Sequence, residues 1–356
     1  MPEISINFKK LAASAIERSQ RGIIALILKD ETQTSLPKVD EYKSALAVTT
    51  TKHTAANVGY ITQALAGGAS KVIAVSVDPD STNAVTDAVT ALGYRPFNYI
   101  ALADGSAAEQ TALTAYVKEQ EAAKKSIKGV AYNVTNPDSQ HVINFANVSV
   151  TYLDGTKVTG EKYISRIVGI LAGLPLIRSA TYYPLADLES AEEPADVEAA
   201  VNAGKFVLFN DEGTVRVARS VNSLVTLDAN TSEDFKKLII VESLDQIRSD
   251  IAQVFKSDYV GKFRNIYPNQ LMLLASINGY FAGLAIDGVL DSTYANVADI
   301  DTELQRNAWV ASGKAAAEDW DDATVRNNPF GSDVFLKASI KVPDAIEDLN
   351  FNVELQ

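Results

Sequence analysis

Cysteine is absent from the 356-residue sequence and histidine occurs only twice. Disulfides, thiolate nucleophiles and the commoner zinc sites are excluded together, because each needs sulfur as ligand or partner. Cationic excess is missing too: 32 Lys plus Arg stand against 45 Asp plus Glu, a formal charge of −13. That is the wrong sign for a surface that must displace counterions from nucleic-acid phosphates. The longest apolar stretch, Ile167 to Ile177, is interrupted by Pro175 and falls well short of the ~20 residues that span a bilayer. The opening MPEISINFKK has no apolar segment before its first charges, so no cleaved secretory leader, a soluble product and a cytosolic folding compartment are expected.

Recognisable chemistry is scarce as well. The sequence holds neither GxGxxG nor GxxxxGK followed by Ser or Thr. Gly67 and Gly68 follow a helical pattern and precede an apolar run, the reverse of a phosphate loop, so they are expected to end a helix. No serine lies in a GxSxG elbow, and His53 and His141 are expected to be surface or satisfied structural residues. Glu189, Glu192 and Glu193, and Asp319, Asp321 and Asp322, read as solvated loops, and the stretch from Asp321 lacks the glycine and terminal glutamate of an EF-hand. A paired-carboxylate enzyme stays open on sequence alone. No catalytic, metal or cofactor site is expected.

What is present is a globular composition, 47% apolar and 22% charged, arranged as a layered α/β (α+β) core with β-hairpins. The runs Gly22–Lys29 and Lys71–Val77 are continuously apolar, as strands covered on both faces are. Helices fit Thr54 to Ala66, with Val58, Ile61 and Leu65 inward, a segment capped by Ser81, and Ala107 to Lys124. Asp154–Gly155 and Asn210–Gly213 mark hairpin turns. A helix from Glu161 presents Gly169 and Gly173 on a smooth side that a second backbone could approach closely. Glu189 to Glu198 reads as a solvated loop. Residues 238–242 (LIIVE) read as a short strand, followed by a helix with Ser243 and Gln246 as capping box. A further helix begins near Pro268 and ends at Gly288.

Both ends of the chain alternate with the period of a one-sided strand. Ile4, Ile6 and Phe8 do so at the start; Val334, Leu336, Ala338, Ile340 and Val342, then Leu349, Phe351, Val353 and Leu355, do so at the end. Such strands pair either within their own subunit or across to a neighbour, where main-chain hydrogen bonds supply affinity and alternating side chains supply register.

In the order and spacing of these segments the chain resembles contractile tail sheath proteins of phages and phage-tail-like bacteriocins, of the short Gram-positive, diffocin-like kind. The matching stretches are PEISINF, AIERSQRGIIALILKD, AGGASKVIAVSV, ISRIVGILAGLPLIRSATYYPL, GKFVLFNDEGTVRVARSVNSLVTL, DQIRSDI with DYVGKFRN, and DVFLKASIKVPDAIEDLNFNVELQ. The resemblance implies a structural subunit without enzymatic activity. Such subunits polymerise as sixfold rings around an inner tube and contract from a metastable extended state to drive the tube through a cell envelope.

It further implies as partners other copies of the chain, the inner tail tube protein, and baseplate and tail terminator proteins, with no nucleic acid and no membrane insertion. Assembly would take place in the cytoplasm of the producing bacterium. Carried onto this sequence, residues 1–21 form an N-terminal arm and linker, 22–231 a central domain, and 232–356 a C-terminal domain ending in a strand arm over 347–356. Ile4, Ile6 and Phe8 become the donated strand; Val334, Leu336, Ile340, Val342, Leu349, Phe351, Val353 and Leu355 line the receiving strands and the second arm. Ser19, Gly22, Pro343 and Asp344 are the hinge candidates, since contraction needs two packings of one chain joined by flexible connections. An α/β enzyme or nucleotide-binding protein, and a non-contractile tube or capsid protein, are the alternatives.

Overall fold

The computed structural model describes residues 21–229 and 231–354; Ile4, Ile6, Phe8, Ser19 and Leu355 lie outside them. The described chain divides into two compact units, one of residues 21–245 with 344–354 and one of 246–343. The division falls inside a helix, whereas the sequence reading divides the chain at 231/232.

The first unit opens with strands β1 (Ile23–Lys29) and β2 (Lys38–Tyr42), helix α1 (Ala55–Ala66), β3 (Lys71–Val77), α2 (Ala84–Leu92), β4 (Tyr99–Leu102) and α3 (Ala107–Ala122). It continues with β5 (Lys128–Tyr132), β6 (Val142–Phe145), β7 (Ser149–Tyr152), β8 (Lys157–Thr159), α4 (Gly160–Gly173), β9 (Leu188–Ala191) and α5 (Val197–Asn202). Last come β10 (Lys205–Phe206), β11 (Leu208–Asp211), β12 (Thr214–Val217) and the start of α6 (Leu238–Val254).

Seven strands form one sheet in the order β10-β6-β5-β4-β1-β3-β2, parallel throughout except for the antiparallel edge strand β2. The continuous apolar run of β1 is explained by its position. Ile24, Leu26 and Leu28 pack with Ile61, Ala64, Ile164 and Val168 of α1 and α4. Ile23, Ala25 and Ile27 pack with Val85, Ala88, Leu113 and Val117 of α2 and α3 on the opposite face. A strand covered on both sides has no solvated face on which to place polar residues.

The glycines of α4 set how closely α1 approaches. A Cβ built on Gly169 would lie 2.3 Å from the Ala64 carbonyl oxygen, and one on Gly67 would lie 2.4 Å from the Gly169 carbonyl carbon. The smooth side expected from the sequence is therefore in use. Antiparallel β8-β7-β9 and the hairpin β11–β12 complete the unit. At the turn of that hairpin Glu212 and Gly213 have φ of 47° and 86°, both in the left-handed region that a two-residue hairpin turn demands.

Five expectations are corrected. Residues 238–242 are helical, because α6 begins at Leu238 and buries Leu238, Val241 and Asp245 on one face. Burial at a helical period overrides the strand preference of Ile239, Ile240 and Val241. Ser243 accordingly caps nothing; its hydroxyl donates back to the Ile239 carbonyl at 2.9 Å. The loop over Glu189–Glu198 contains β9 and the first residues of α5. In α2 the N-cap is Asn83, while the Ser81 hydroxyl donates to Asp87 at 2.5 Å. The buried face of α1 is also rotated from the expected one: Asn57, Tyr60, Ile61 and Ala64 are buried, and Val58 and Leu65 are half-buried at its margin.

The second unit holds the end of α6, α7 (Tyr267–Ile286), β13 (Val297–Ile300), α8 (Thr302–Ala311), α9 (Asp322–Asn327) and β14 (Leu336–Ser339). As expected, α7 starts beside Pro268 and is followed by Gly288, at φ 76°. Strands β13 and β14 pair antiparallel, Ile300 opposite Leu336 and Ala298 opposite Ala338. Asn278 of α7 holds β13 through both its amide atoms, donating to and accepting from Ala298 at 3.1 and 2.7 Å. Arg326 of α9 grips Asp299 with two bonds of 2.5 and 2.6 Å. No helix among the described residues is long and apolar enough to cross a membrane.

Candidate functional site

A doubly wound sheet binds ligands outside the carboxyl ends of its strands, where the strand order reverses. Here that point lies between β1 and β4. Asp30, directly after β1, accepts from the backbone N–H of Thr54, the N-cap of α1, at 2.9 Å, and from the Asn57 amide at 2.7 Å. Glu109, in the first turn of α3, accepts from the Ser106 N–H at 2.7 Å and pairs with Lys29 at 2.7 Å. Both helix N-termini at this crevice are thus met by carboxylates of the chain itself. An anionic cofactor would find like charge where a nucleotide-binding sheet offers free N–H groups.

Neither histidine stands free. His53 is fully buried beside the Tyr42 hydroxyl, 2.8 Å away, and Ser76, and burial holds its pKa below the ordinary value. His141 belongs to a group of charges that no spacing in the sequence announces. At its centre the Lys128 ammonium of β5, 3% exposed, lies 2.5 Å from Asp245 and 3.2 Å from Glu242, both on α6. Arg21 donates to Glu242 from the start of the described chain, and Tyr99 of β4 donates to the same carboxylate. His141 is 2.9 Å from Asp245 through Nε2 and 3.6 Å from Glu121 through Nδ1. Three acids therefore face Arg21, Lys128 and the imidazole.

Burial opposes ionisation of Lys128, Glu121, His141, Glu242 and Asp245, and pairing outweighs it. Asp245 and Glu242 are held below the usual carboxylate range by Lys128, helped by His141 and Arg21 respectively, and His141 is held above its ordinary 6.5 by Asp245 and Glu121. A raised histidine contributes stability that is complete below the unfolded pKa and lost as pH rises through the folded one; the depressed carboxylates contribute above their unfolded values and lose it as pH falls. The urea midpoint is therefore expected to decline on the alkaline side of about pH 7 as well as in acid. Replacing His141 by Gln should remove the alkaline decline and only weaken the acid one, which Lys128 sustains on both carboxylates; an unchanged alkaline limb would contradict the pairing.

The sequence-expected arm residues fall into two groups. Val334, Leu336, Ile340 and Val342 are half-buried, and Leu336 lies in β14, paired within the chain to β13. Among the described residues β14 has a strand on one side only. After Ser339 the chain stays tied to its own unit: the Lys341 carbonyl accepts from the Asp291 N–H at 2.8 Å, and its ammonium pairs with Asp291 at 2.8 Å. Leu349, Phe351 and Val353 behave otherwise. They are 87%, 78% and 67% exposed, and residues 349–354 belong to no strand.

Of the hinge candidates, Gly22 has φ 79°, and its carbonyl accepts from the Ser70 N–H at 2.9 Å. Pro343 is half-buried, and Asp344 pairs with Lys237.

Models of the phage tail sheath protein central domain and of the phage tail sheath C-terminal domain match residues 80–223 and 230–356. The tail sheath protein of Clostridium phage phiCD119 is 32% identical over 99% of this chain and 98% of its own length. The chain belongs to the phage tail sheath family. It is a structural sheath subunit, built on a mixed α/β fold as the sequence indicated.

Solved structures carry the same fold. A sheath tail protein from Desulfitobacterium hafniense superposes with a TM-score of 0.70 at 19% identity, covering 84% of this chain and 94% of that one. The helical sheath of the anti-feeding prophage in its contracted state superposes with a TM-score of 0.70 at 13% identity, covering 99% of both chains. Among the described arm residues of this sheath subunit, those of the stretch 349–354 are the ones left exposed and outside any strand.

Proposed function

We propose that this subunit polymerises as sixfold rings around an inner tail tube by sharing its terminal strands, and that the polymer contracts from an extended state to drive the tube through a target envelope. The observation that carries the reading is the apolar two-residue period of Leu349, Phe351 and Val353 on a segment that is exposed and outside every strand. Each of these side chains gains about 1.5–3 kcal/mol on full burial, and a sheet edge of a further copy would supply the main-chain partners and the cover. In a monomer such an edge is a liability; in a helical polymer it becomes the link.

In this reading residues 1–21 are an N-terminal arm and linker that donates Ile4, Ile6 and Phe8, and the edge of β14 left without a strand is the receiving site. Ser19, Gly22, Pro343 and Asp344 bound the connections that move on contraction. The partners are other copies, the tube protein, and the baseplate and terminator proteins. The subunit takes no part in catalysis, nucleic-acid binding or membrane insertion, and it assembles in the cytoplasm before release in a phage or bacteriocin particle.

Deleting residues 349–356 is expected to leave a folded monomer, with unchanged circular dichroism, that forms no tubes in electron micrographs. Phe351→Asp should act in the same direction, since a carboxylate on the covered face of a shared sheet is costly to bury. Tubes of normal length and abundance from the deleted chain would overturn strand sharing.

A further inference from the structure

Just before the exposed stretch the chain is tied down by charge. Glu347, 12% exposed at its side chain, uses both oxygens: one accepts from Arg219 at 2.9 Å, the other from the hydroxyls of Thr181 at 2.6 Å and Ser179 at 3.4 Å. The second terminal nitrogen of Arg219 donates to Asp348 at 2.6 Å, so one guanidinium straddles two consecutive carboxylates. Thr181 is itself fixed, its hydroxyl oxygen accepting from the Ser220 N–H at 2.9 Å. Asp344 pairs with Lys237 three residues earlier along the tail.

This concentration of polar contacts is not matched by apolar burial. Ile346 is wholly exposed and Leu349 nearly so. Partly exposed ion pairs add little to the stability of a fold, but a planar guanidinium held by two carboxylates fixes direction.

We propose that Arg219 is the positioning residue of the C-terminal arm: by clasping Glu347 and Asp348 it sets the point and direction from which residues 349 onward leave the body toward a second copy of the chain. The inference rests on the strand-sharing reading above. Without the clasp the four residues 345–348, beyond the Asp344–Lys237 pair, are released, adding up to about 14 Å of play to the root of the arm. A strand that must find a neighbour's edge then samples a larger volume and loses more freedom on docking. With the clasp closed, every subunit presents its arm alike, as a regular lattice requires.

The test compares full-length Arg219→Glu, the triple variant Arg219→Glu with Glu347→Arg and Asp348→Arg, and the chain lacking 349–356, each by thermal melting and by light scattering during tube formation. Arg219→Glu is expected to melt as the parent does while assembling at least about tenfold more slowly or at correspondingly higher concentration, and the charge-reversed triple variant is expected to regain the parent's behaviour. Should Arg219→Glu not fold, Glu347→Gln with Asp348→Asn breaks the same clasp from the exposed side and gives the same readout. Parental assembly by the clasp-broken chain, or no recovery on charge reversal, overturns the positioning role. If the deleted chain still forms tubes, the strand-sharing reading fails, and the positioning role with it. If only the deletion blocks assembly, the positioning role alone is wrong.

Discussion

Replacing Lys128 by Met should cost the first unit about 3–5 kcal/mol, the range found when one partner of a buried charge group is removed. The ammonium is 3% exposed and faces Glu242 and Asp245 together. Methionine fills similar volume but removes the ammonium that both carboxylates face, leaving Arg21 and the Tyr99 hydroxyl on Glu242 and His141 on Asp245. The loss is therefore electrostatic and not a cavity effect. A variant that also carries Glu242→Gln and Asp245→Asn should recover much of it, because neutral amides need no counter-charge. Chemical denaturation of the three chains checks this. If Lys128→Met stays within about 1 kcal/mol of the parent, the group is solvated and the argument fails.

A change of one methyl group is expected to act about as strongly at Gly169. In Gly169→Ala the new Cβ falls 2.3 Å from the Ala64 carbonyl oxygen and 2.8 Å from the Ala64 Cα. Both obstacles are backbone, so no rotamer change relieves them, and α1 and α4 must separate along their contact. Overpacking of this kind costs about 1–3 kcal/mol where side chains can shift and more where they cannot, so a loss of at least about 3 kcal/mol or failure to accumulate as soluble protein is expected.

Gly59, on the same α1 but with open space where its Cβ would stand, supplies the comparison. Gly59→Ala should gain about 0.5–1 kcal/mol by restricting the unfolded chain and favouring helix. Equal thermal midpoints for the two variants would show that the helices are not in backbone contact.

The helix pair illustrates what is readable in a sequence. The four-residue spacing of Gly169 and Gly173 announces a bare helix side; nothing in it names Ala64 and Gly68 as the backbone that fills it. The switch in texture from continuous to alternating apolar residues is legible in the same way, since burial on two faces or one leaves its own period. The strand read over 238–242 failed because Ile239, Ile240 and Val241 suit either element locally. Only the partners of Leu238 and Asp245 decide that this stretch is a helix turn.

The candidate site divides likewise. Leu349, Phe351 and Val353 were visible as an alternating run, and so were Val334 to Val342; which run stays uncovered depends on β13 having already paired with β14. The clasp on Glu347 and Asp348 was invisible, because Arg219 and Thr181 lie more than a hundred residues away along the chain.

By itself, then, the order of residues determined the class of fold, the two-sided burial of the central strands and the strand over Leu336–Ser339, all of which follow from local period and side-chain chemistry. The tertiary structure alone decided the charges gathered around Lys128, the carboxylates that fill the switch-point crevice and the anchoring of the tail. Ionic and backbone contacts form between any positions that folding brings within a few ångströms, and they leave no periodic trace along the chain.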